Sequence, residues 1–370
     1  MEWNRFNVVT DGQWGSCGKG MVTSALTAVF KPEVMSTTNM ANAGHTAVNE
    51  NGEKWVAKAL PSGAIMGKWM ERYKPTILVG ASAAFHLEQM LKEIGDLDGG
   101  TKVEIHPRAG VITGDHKRAE GTSTKHVAST MQGCAEMLSD KILRKKGLRL
   151  AGDYEELKTW TNDFTDSLIR RWWDLGVTVL HEGSQGFSLD INHGSHYPQC
   201  TSRGTTATQN MADMGVCHQM VGDVYLVIRP FPIRVGNVYE DGVEVGNSGG
   251  AYEGQAEITW QEVAKRSGMP AEEAEKLLER ELTTVTKRLR RVFEFSDVQV
   301  RKAARINGAT KIALNFANYV DWECSGCRRW NDLPQRVMEF VQRIQNVTGV
   351  PVEMVGTGPK YGDVCWRPTA

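Results

Sequence analysis

Five short apolar runs, rich in β-branched residues, stop abruptly at glycine or small polar residues. They are Asn7–Thr10 before DGQWGSCGKG, Thr76–Val79 before GAS, Val177–Leu180 before HEGSQG, Lys311–Phe316 before ANY, and Val352–Val355 before GTGP. Continuous rather than alternating apolar runs are what strands buried on both faces present. Between them lie stretches with apolar residues at helical spacing: Ala84–Ile94, Tyr154–Leu175, Ala271–Leu282 and Leu333–Val347. Strand followed by helix, repeated, predicts an α/β fold with a largely parallel central sheet covered by helices. Its ligands should bind at the carboxyl ends of the strands. No repeat, low-complexity tract or proline-rich linker divides the chain, so a single domain over residues 1–370, with insertions, is expected.

Composition narrows the function. Hydrophobic residues make up 41% and charged residues 24% of 370 residues, which suits a packed globular protein and excludes a disordered or fibrous one. A net charge of −1 denies the chain the global positive field of a non-specific nucleic-acid binder, so any polyanion site must be local. No stretch approaches the roughly 18 apolar residues of a membrane span, and the N-terminus lacks a basic region followed by an apolar core. A cytoplasmic protein with no membrane partner is expected. The seven cysteines are odd in number and mostly scattered, unlike a secreted disulfide framework. The 38 glycines are in excess, suggesting loops whose backbone must approach a ligand closely.

Three loops carry candidate chemistry. Gly12–Gly20 follows a strand and enters the apolar segment Met21–Phe30, an arrangement in which backbone N–H groups and a helix N-terminus cradle phosphate while Lys19 neutralises it. It departs from the Walker pattern, with Gln13 at the first glycine position and Gly20 after the lysine. By itself such a turn fits a plain strand-to-helix connection equally well. The second loop, Asn42-Ala43-Gly44-His45-Thr46, sets an imidazole beside a glycine. The third, Glu182–Gly194, ends a strand with polar groups on both sides. Together they hold enough donors for phosphoryl transfer, where catalysis is mostly positioning and charge stabilisation.

GQWGSCGKG, NAGHT, EGSQGFSLDINHG, TTVTKRLRR and TGVPVEMVGTGP resemble, in order and across nearly the whole chain, the adenylosuccinate synthetase family. The resemblance implies a P-loop-like α/β domain acting as a homodimer. With a nucleoside triphosphate and Mg2+, such enzymes phosphorylate the 6-oxygen of a purine monophosphate and then displace the phosphate with the amino group of L-aspartate.

Two departures from that family carry the finer reading. Its IMP-using members read GDEGKG, where the aspartate takes the N1 proton and binds magnesium; here that place is Ser16, a poor base and a weaker metal ligand. This change resembles the phage branch of the family that makes 2-aminoadenine nucleotides from dGMP, since a smaller side chain near N1 leaves room for a 2-amino group. The GTP-using members also carry Thr-Lys-x-Asp after a late strand, where this chain has Asn315-Phe316-Ala317-Asn318. Asparagine offers one acceptor and one donor, as adenine requires, which points to ATP or dATP; a plain turn cap is the other reading of Asn318.

Carried over residue by residue, the resemblance makes Ser16, His45 and Gln185 the catalytic set, with Ser16 and Gly44 toward Mg2+. The donor site would use Gly15, Cys17, Gly18, Lys19, Gly20, Gly44, His45, Thr46, Asn318, Gly356, Thr357 and Gly358. The dGMP site would use Ser16, Asn42, Thr122, Ser123, Gln185, Thr201 and Arg288, with Arg144 reaching over from a second subunit. L-aspartate would meet Thr284, Val285, Thr286, Lys287, Arg288 and Arg290. A basic run is more often a solvated face or a nucleic-acid contact, but the net charge and the lack of interleaved aromatics favour the aspartate reading. Cys324-Ser325-Gly326-Cys327 is half a zinc or redox pattern at most, and Trp172-Trp173 reads as packing. An ordinary IMP- and GTP-using enzyme, an inactive paralogue and a nucleotide-dependent switch are the competing readings.

Overall fold

The computed structural model describes residues 6–165, 175–283 and 288–368. Among these, a nine-stranded sheet is built from β1 (Phe6–Asp11), β2 (Val34–Thr37), β3 (Thr76–Val79), β4 (Lys102–Ile105), β5 (Val179–Glu182), β6 (Val221–Ile228), β7 (Lys311–Leu314), β8 (Val352–Gly356) and β9 (Val364–Trp366). Their spatial order is β9-β8-β7-β6-β1-β5-β2-β3-β4. Every neighbouring pair is parallel except the edge strand β9, which runs antiparallel to β8. All six residues of β1 are buried because it lies between β5 and β6 with both faces covered, so no alternation shows in its sequence.

Along β6 and β7 the faces separate by parity. Val9, Leu180, Val227 and Met354 pack with Met21, Val22, Ala25 and Leu26 of helix α1 (Lys19–Phe30) on one side. Leu226, Ile228, Ile312 and Leu314 face Val300, Ala303, Val337, Val341 and Ile344 on the other, where the helices Asp297–Asn307 and Gln335–Thr348 lie. Neighbours such as Leu226 and Val227 therefore serve opposite cores. The expected α/β architecture is what the chain adopts. The loops after β1 and β5 leave adjacent strands at the middle of the sheet, where strand order reverses and ligands collect in open α/β sheets.

Two of the expected helices differ. The segment read as Ala84–Ile94 begins as a strand, Ala84–Phe85, paired with Gly110–Val111, and becomes helical only over Leu87–Asp96. From residue 154 to 164 the chain forms short turns such as Glu155–Leu157 rather than a helix. Ile105 donates to the carbonyl of Trp160 at 2.7 Å and accepts from Asn162 at 3.0 Å, so the chain there is held extended beside the end of β4. Leu157 still reaches the core, with Tyr154 and Trp160 packed against it, so apolar spacing that read as helical serves successive turns. Trp172-Trp173 lies outside the described residues. An insertion between β6 and β7 forms a three-stranded antiparallel sheet of Ile233–Arg234, Arg291–Phe293 and Glu257–Ile258. Among the described residues, no helix is long and apolar enough to cross a membrane.

His181, in β5, is fully buried, stacked 5.6 Å from Phe6 and 3.0 Å from Ser36 Oγ. Burial, assisted by the positive charge of Arg203, pushes its pKa down from 6.5 to about 4. The folded chain keeps this ring neutral where the unfolded chain protonates it. Its contribution is therefore full above about pH 6.5 and declines as pH falls toward 4, by about 3 kcal/mol in all. Urea midpoints between pH 7 and 4 should show this slope, and His181→Asn should flatten it; an equal slope in the variant would assign the acid sensitivity to other groups.

Candidate active site

The loop between β1 and α1 is organised from below by one carboxylate. Asp11, wholly buried at the end of β1, accepts through Oδ1 from the N–H of Gln13 at 2.9 Å and of Gly15 at 3.3 Å. Its Oδ2 accepts from the Cys17 N–H at 3.1 Å and lies 3.4 Å from Lys19 Nζ. The Cys17 thiol points inward to the same carboxylate, and burial followed by the charge of Asp11 raises its pKa well above the ordinary value, so it is an inert packing group. Ser16, by contrast, is exposed on the lip of the loop in a left-handed conformation, φ 55°.

Neighbouring elements close on the loop. Gly18 has φ 85° and a Cβ there would collide with the amide of Asn315, which donates to the carbonyls of Cys17 at 3.2 Å and Gly18 at 3.3 Å. Gly20 is pressed against the backbone of Thr46, whose carbonyl oxygen would stand 2.5 Å from a Cβ. These contacts join the lysine loop to the ends of β7 and of the NAGHT loop.

The glutamine meets the same loop from the turn after β5, and the histidine, first residue of the small strand His45–Val48, is tied to β5 through Glu182. Lys19 Nζ donates to the carbonyl of Gln185 at 2.6 Å, and Gln185, in a left-handed conformation with φ 61°, donates through Nε2 to Asn42 Oδ1 at 2.8 Å. His45 Nδ1 stands 2.9 Å from Glu182 Oε1. Glu182 is fully buried and also takes the N–H and the hydroxyl of Ser62. Burial alone would raise its carboxyl; the ring of His45 and the two Ser62 donors outweigh that and hold it below the ordinary range. With Nδ1 turned to a fixed carboxylate, the ring is oriented and Nε2 is left for a substrate oxygen.

The remaining expected site residues fall into three groups. Thr201 is buried, and its Oγ1 has no hydrogen-bond partner among the described residues, as expected of a ligand contact. Asn318 is buried in the turn Ala317–Tyr319. Gly356 lies against the Asn315 side chain, Gly358 packs on Asp363, and Thr357 donates to the Cys327 carbonyl at 2.7 Å, so the Cys324–Cys327 turn braces the 356–358 loop. Thr122 and Ser123 are not brought to the loop. They end the helix Gly114–Ser123 on the surface, where Ser123 donates to Glu136 at 2.7 Å. Arg144 is exposed at φ 53° beside Ile142 and Leu143, themselves 77% and 70% exposed. Arg288 donates to the carbonyls of Ala128 at 3.1 Å and Ser129 at 3.2 Å. Arg290 is turned inward to Glu281 at 3.4 Å rather than held open for a ligand. Thr284, Val285, Thr286 and Lys287 lie outside the described residues.

Four residues with structural command of the site, Asp11, Glu182, Asn315 and Arg229, were not singled out as functional from sequence. A charged residue closing an apolar strand just before a glycine loop was the available signal for Asp11, and the same holds for Glu182 before GSQG. Arg229 is 1% exposed and takes its partners from segments far away in sequence, which no local pattern reports.

A parallel sheet whose central strand ends in a lysine-bearing glycine loop, met by a glutamine from the loop after the adjacent strand and by a histidine held on that strand's terminal carboxylate, defines a nucleotide-using α/β enzyme. The chain belongs to the adenylosuccinate synthetase family, whose model matches residues 8–166, 153–322 and 316–365. It is accordingly a carbon–nitrogen ligase of purine biosynthesis. The adenylosuccinate synthetase of Methanocaldococcus jannaschii is 34% identical over 361 residues, covering 95% of this chain and 94% of that one. The N6-succino-2-amino-2′-deoxyadenylate synthase of Vibrio phage phiVC8 is 32% identical over 369 residues, 97% of each chain. The cyanophage S-2L succinoaminodeoxyadenylate synthetase, solved with dGMP and dATP as energy donor, superposes with a TM-score of 0.81 at 29% identity, covering 100% of this chain and 97% of that one.

Asp11→Asn keeps the volume but leaves Lys19 without its buried counter-charge. Removing one partner of a buried pair is strongly destabilising, here about 3 kcal/mol, and the loop amides lose their common acceptor. Calorimetry should show a lower Tm, and titration with a non-hydrolysable ATP analogue should show weakened binding; a variant matching wild type in both would remove Asp11 from its organising role.

Proposed function

We propose that this enzyme joins L-aspartate to C6 of dGMP, with ATP or dATP as phosphate donor. The donor's γ-phosphoryl group passes to the purine 6-oxygen, and the aspartate amino group then displaces phosphate at C6. The products are 2-amino-2′-deoxyadenylosuccinate, the nucleoside diphosphate and phosphate, and the succinylated nucleotide serves 2-aminoadenine DNA synthesis. The observation that carries this reading is Ser16, exposed on the lip of the phosphate loop where the IMP-using pattern has an aspartate. A small neutral side chain there leaves space for a guanine 2-amino group. The phage relatives named for this reaction, and the cyanophage enzyme holding dGMP and dATP, support it. Asn318, with one acceptor and one donor, suits adenine in the donor.

In this mechanism Lys19 and the loop N–H groups neutralise the donor phosphates. Gln185, steadied by Asn42, holds the 6-oxygen, and His45, oriented by Glu182, donates to the oxygen as charge develops on it. Thr201 offers its hydroxyl to the monophosphate. Arg144 on its exposed turn reaches the monophosphate of a second subunit in a homodimer, and Arg288 serves the boundary between the dGMP and aspartate sites. The family uses Mg2+ with its nucleotides. The Ser16 hydroxyl and the Gly44 carbonyl would hold it here, neutral oxygens that suit an ion whose charge is balanced mainly by phosphates. When bound, it would draw electron density from the transferring phosphoryl group. We place the enzyme, as one domain, in the cytoplasm, that of the host if a phage encodes it.

Incubating the protein with aspartate, each of dGMP, GMP and IMP, and each of ATP, dATP and GTP tests the reading directly. dGMP with an adenine donor should give the highest kcat/KM, and Ser16→Asp should narrow or reverse the preference over IMP. Equal use of IMP and dGMP by wild type would defeat the steric argument, and success only with IMP and GTP would make this an ordinary adenylosuccinate synthetase.

His45→Ala and Gln185→Ala should each lower kcat by roughly 100-fold or more while changing dGMP affinity less, since their bonds strengthen as the oxyanion forms. Single-turnover rates and thermal stability on the same preparations decide it: variants that react at full speed but melt earlier would leave both residues with a structural role only.

A further inference from the structure

Beneath the Ser16 lip lies a buried ion cluster that the mechanism does not use. Arg229, 1% exposed, sends its guanidinium in two directions: Nη1 donates to the carbonyl of Ser16 at 3.2 Å, and Nη2 to Glu281 Oε1 at 3.2 Å. Its backbone is pinned to the phosphate loop as well, since Gln13 exchanges both side-chain bonds with the Arg229 N–H, at 2.9 Å, and carbonyl, at 3.1 Å. Glu281, 3% exposed, is shared by three elements. It also accepts from the Tyr319 hydroxyl at 2.9 Å, on the turn that carries Asn318, and pairs with Arg290 at 3.4 Å.

Glu281 stands at the root of the basic segment. Next to it, Leu282 bridges Leu289 antiparallel, and the Thr283 N–H donates to the Arg288 carbonyl at 2.8 Å, so the two flanks of the segment move as a pair. The Arg290 N–H donates to the Glu281 carbonyl at 3.1 Å, adding a second tie. Buried this deeply, neither charge can readily exchange its partner for solvent, so Ser16, the turn of Tyr319 and the flanks of the basic segment shift together.

We propose that the Arg229–Glu281 pair is a positioning element that couples occupancy of the phosphate loop to capture of the acidic co-substrate. A triphosphate that settles the Ser16 peptide also settles Glu281 and the flanks that present Arg288, and a dicarboxylate held by the flanks acts back on the loop. Reciprocity is required: each ligand must tighten the other by the same factor. This rests on the ligase reading above, because it takes the basic segment as the site of the amino acid.

The test uses the full chain with dGMP present, a non-hydrolysable ATP analogue, and succinate as a dicarboxylate without the amino nucleophile. Calorimetric titrations measure the Kd of each with and without the other. Wild type should show mutual tightening of about tenfold. Glu281→Gln should bring the factor within twofold of unity, and in turnover should raise the KM for aspartate more than it lowers kcat. Tyr319→Phe, which removes one hydrogen bond and leaves both charges in place, should retain the fold and lose part of the coupling, so the proposal is testable even where Glu281→Gln does not fold. Absence of coupling in wild type, or undiminished coupling in both variants, overturns the proposal. Failure of the ligase reading is a separate result, seen as no succinylated product with any nucleotide pair.

Discussion

The centre of this molecule depends on one wholly buried carboxylate. Asp11 ends the innermost strand with its side chain facing down into the loop it precedes, and it collects the N–H groups of Gln13, Gly15 and Cys17 around one pair of oxygens. A glycine-rich turn has many conformations available, and its entropy opposes any single one. The buried acceptor selects one of them in advance of ligand. It also balances Lys19, whose ammonium is held in a nearly dry position by Asp11 and the Gln185 carbonyl. The N–H groups turned to Asp11 are spent on the framework, and the loop is thereby held in one conformation in advance of ligand.

The same device recurs twice, at the end of β5 and at the C-terminus of the helix Ala271–Arg280. Glu182 orients His45 and takes two donors from Ser62, and Glu281 gathers Arg229, Arg290 and Tyr319. Buried ion pairs are poor sources of net stability, because desolvation offsets most of the attraction. Their value here is directional. Each fixes a polar group that a purely apolar core could not aim, and each ties segments more than fifty residues apart in sequence: Arg229 to Glu281, His45 to Glu182, Gln13 to Arg229.

How much of this the sequence discloses follows from the range of the interactions. Strands such as β1, β3 and β8 were legible because continuous β-branched runs ending in glycine have few other uses, and α1 because an apolar stretch follows the lysine loop. The 154–164 segment misled because the spacing of Tyr154, Leu157 and Trp160 satisfies a helix and a series of turns equally, and the choice was made by hydrogen bonds to Ile105. Among the expected site residues, Lys19, His45 and Gln185 lie in motifs, and the fold brings them to one loop. Thr122 and Ser123 were placed by local resemblance and stand on the surface, while Arg290, expected to face a ligand, is claimed by Glu281. No local pattern records that a carboxylate nine residues upstream will take an arginine inward.

The separation between what holds the loop and what stands exposed at its lip has a consequence for which side chains position 16 can carry. Ser16 contributes its backbone to the framework, through the carbonyl bound by Arg229, while its side chain is exposed at the lip. Asp11, not residue 16, organises the amides. A carboxylate can therefore be exchanged for a hydroxyl at position 16 with the loop conformation kept, because the left-handed backbone there is held from beneath by contacts that do not involve the side chain. The charge and volume at the lip then vary independently of the framework beneath it. Position 11 has no such freedom, since its side chain is the framework, and a change there alters every donor in the loop at once.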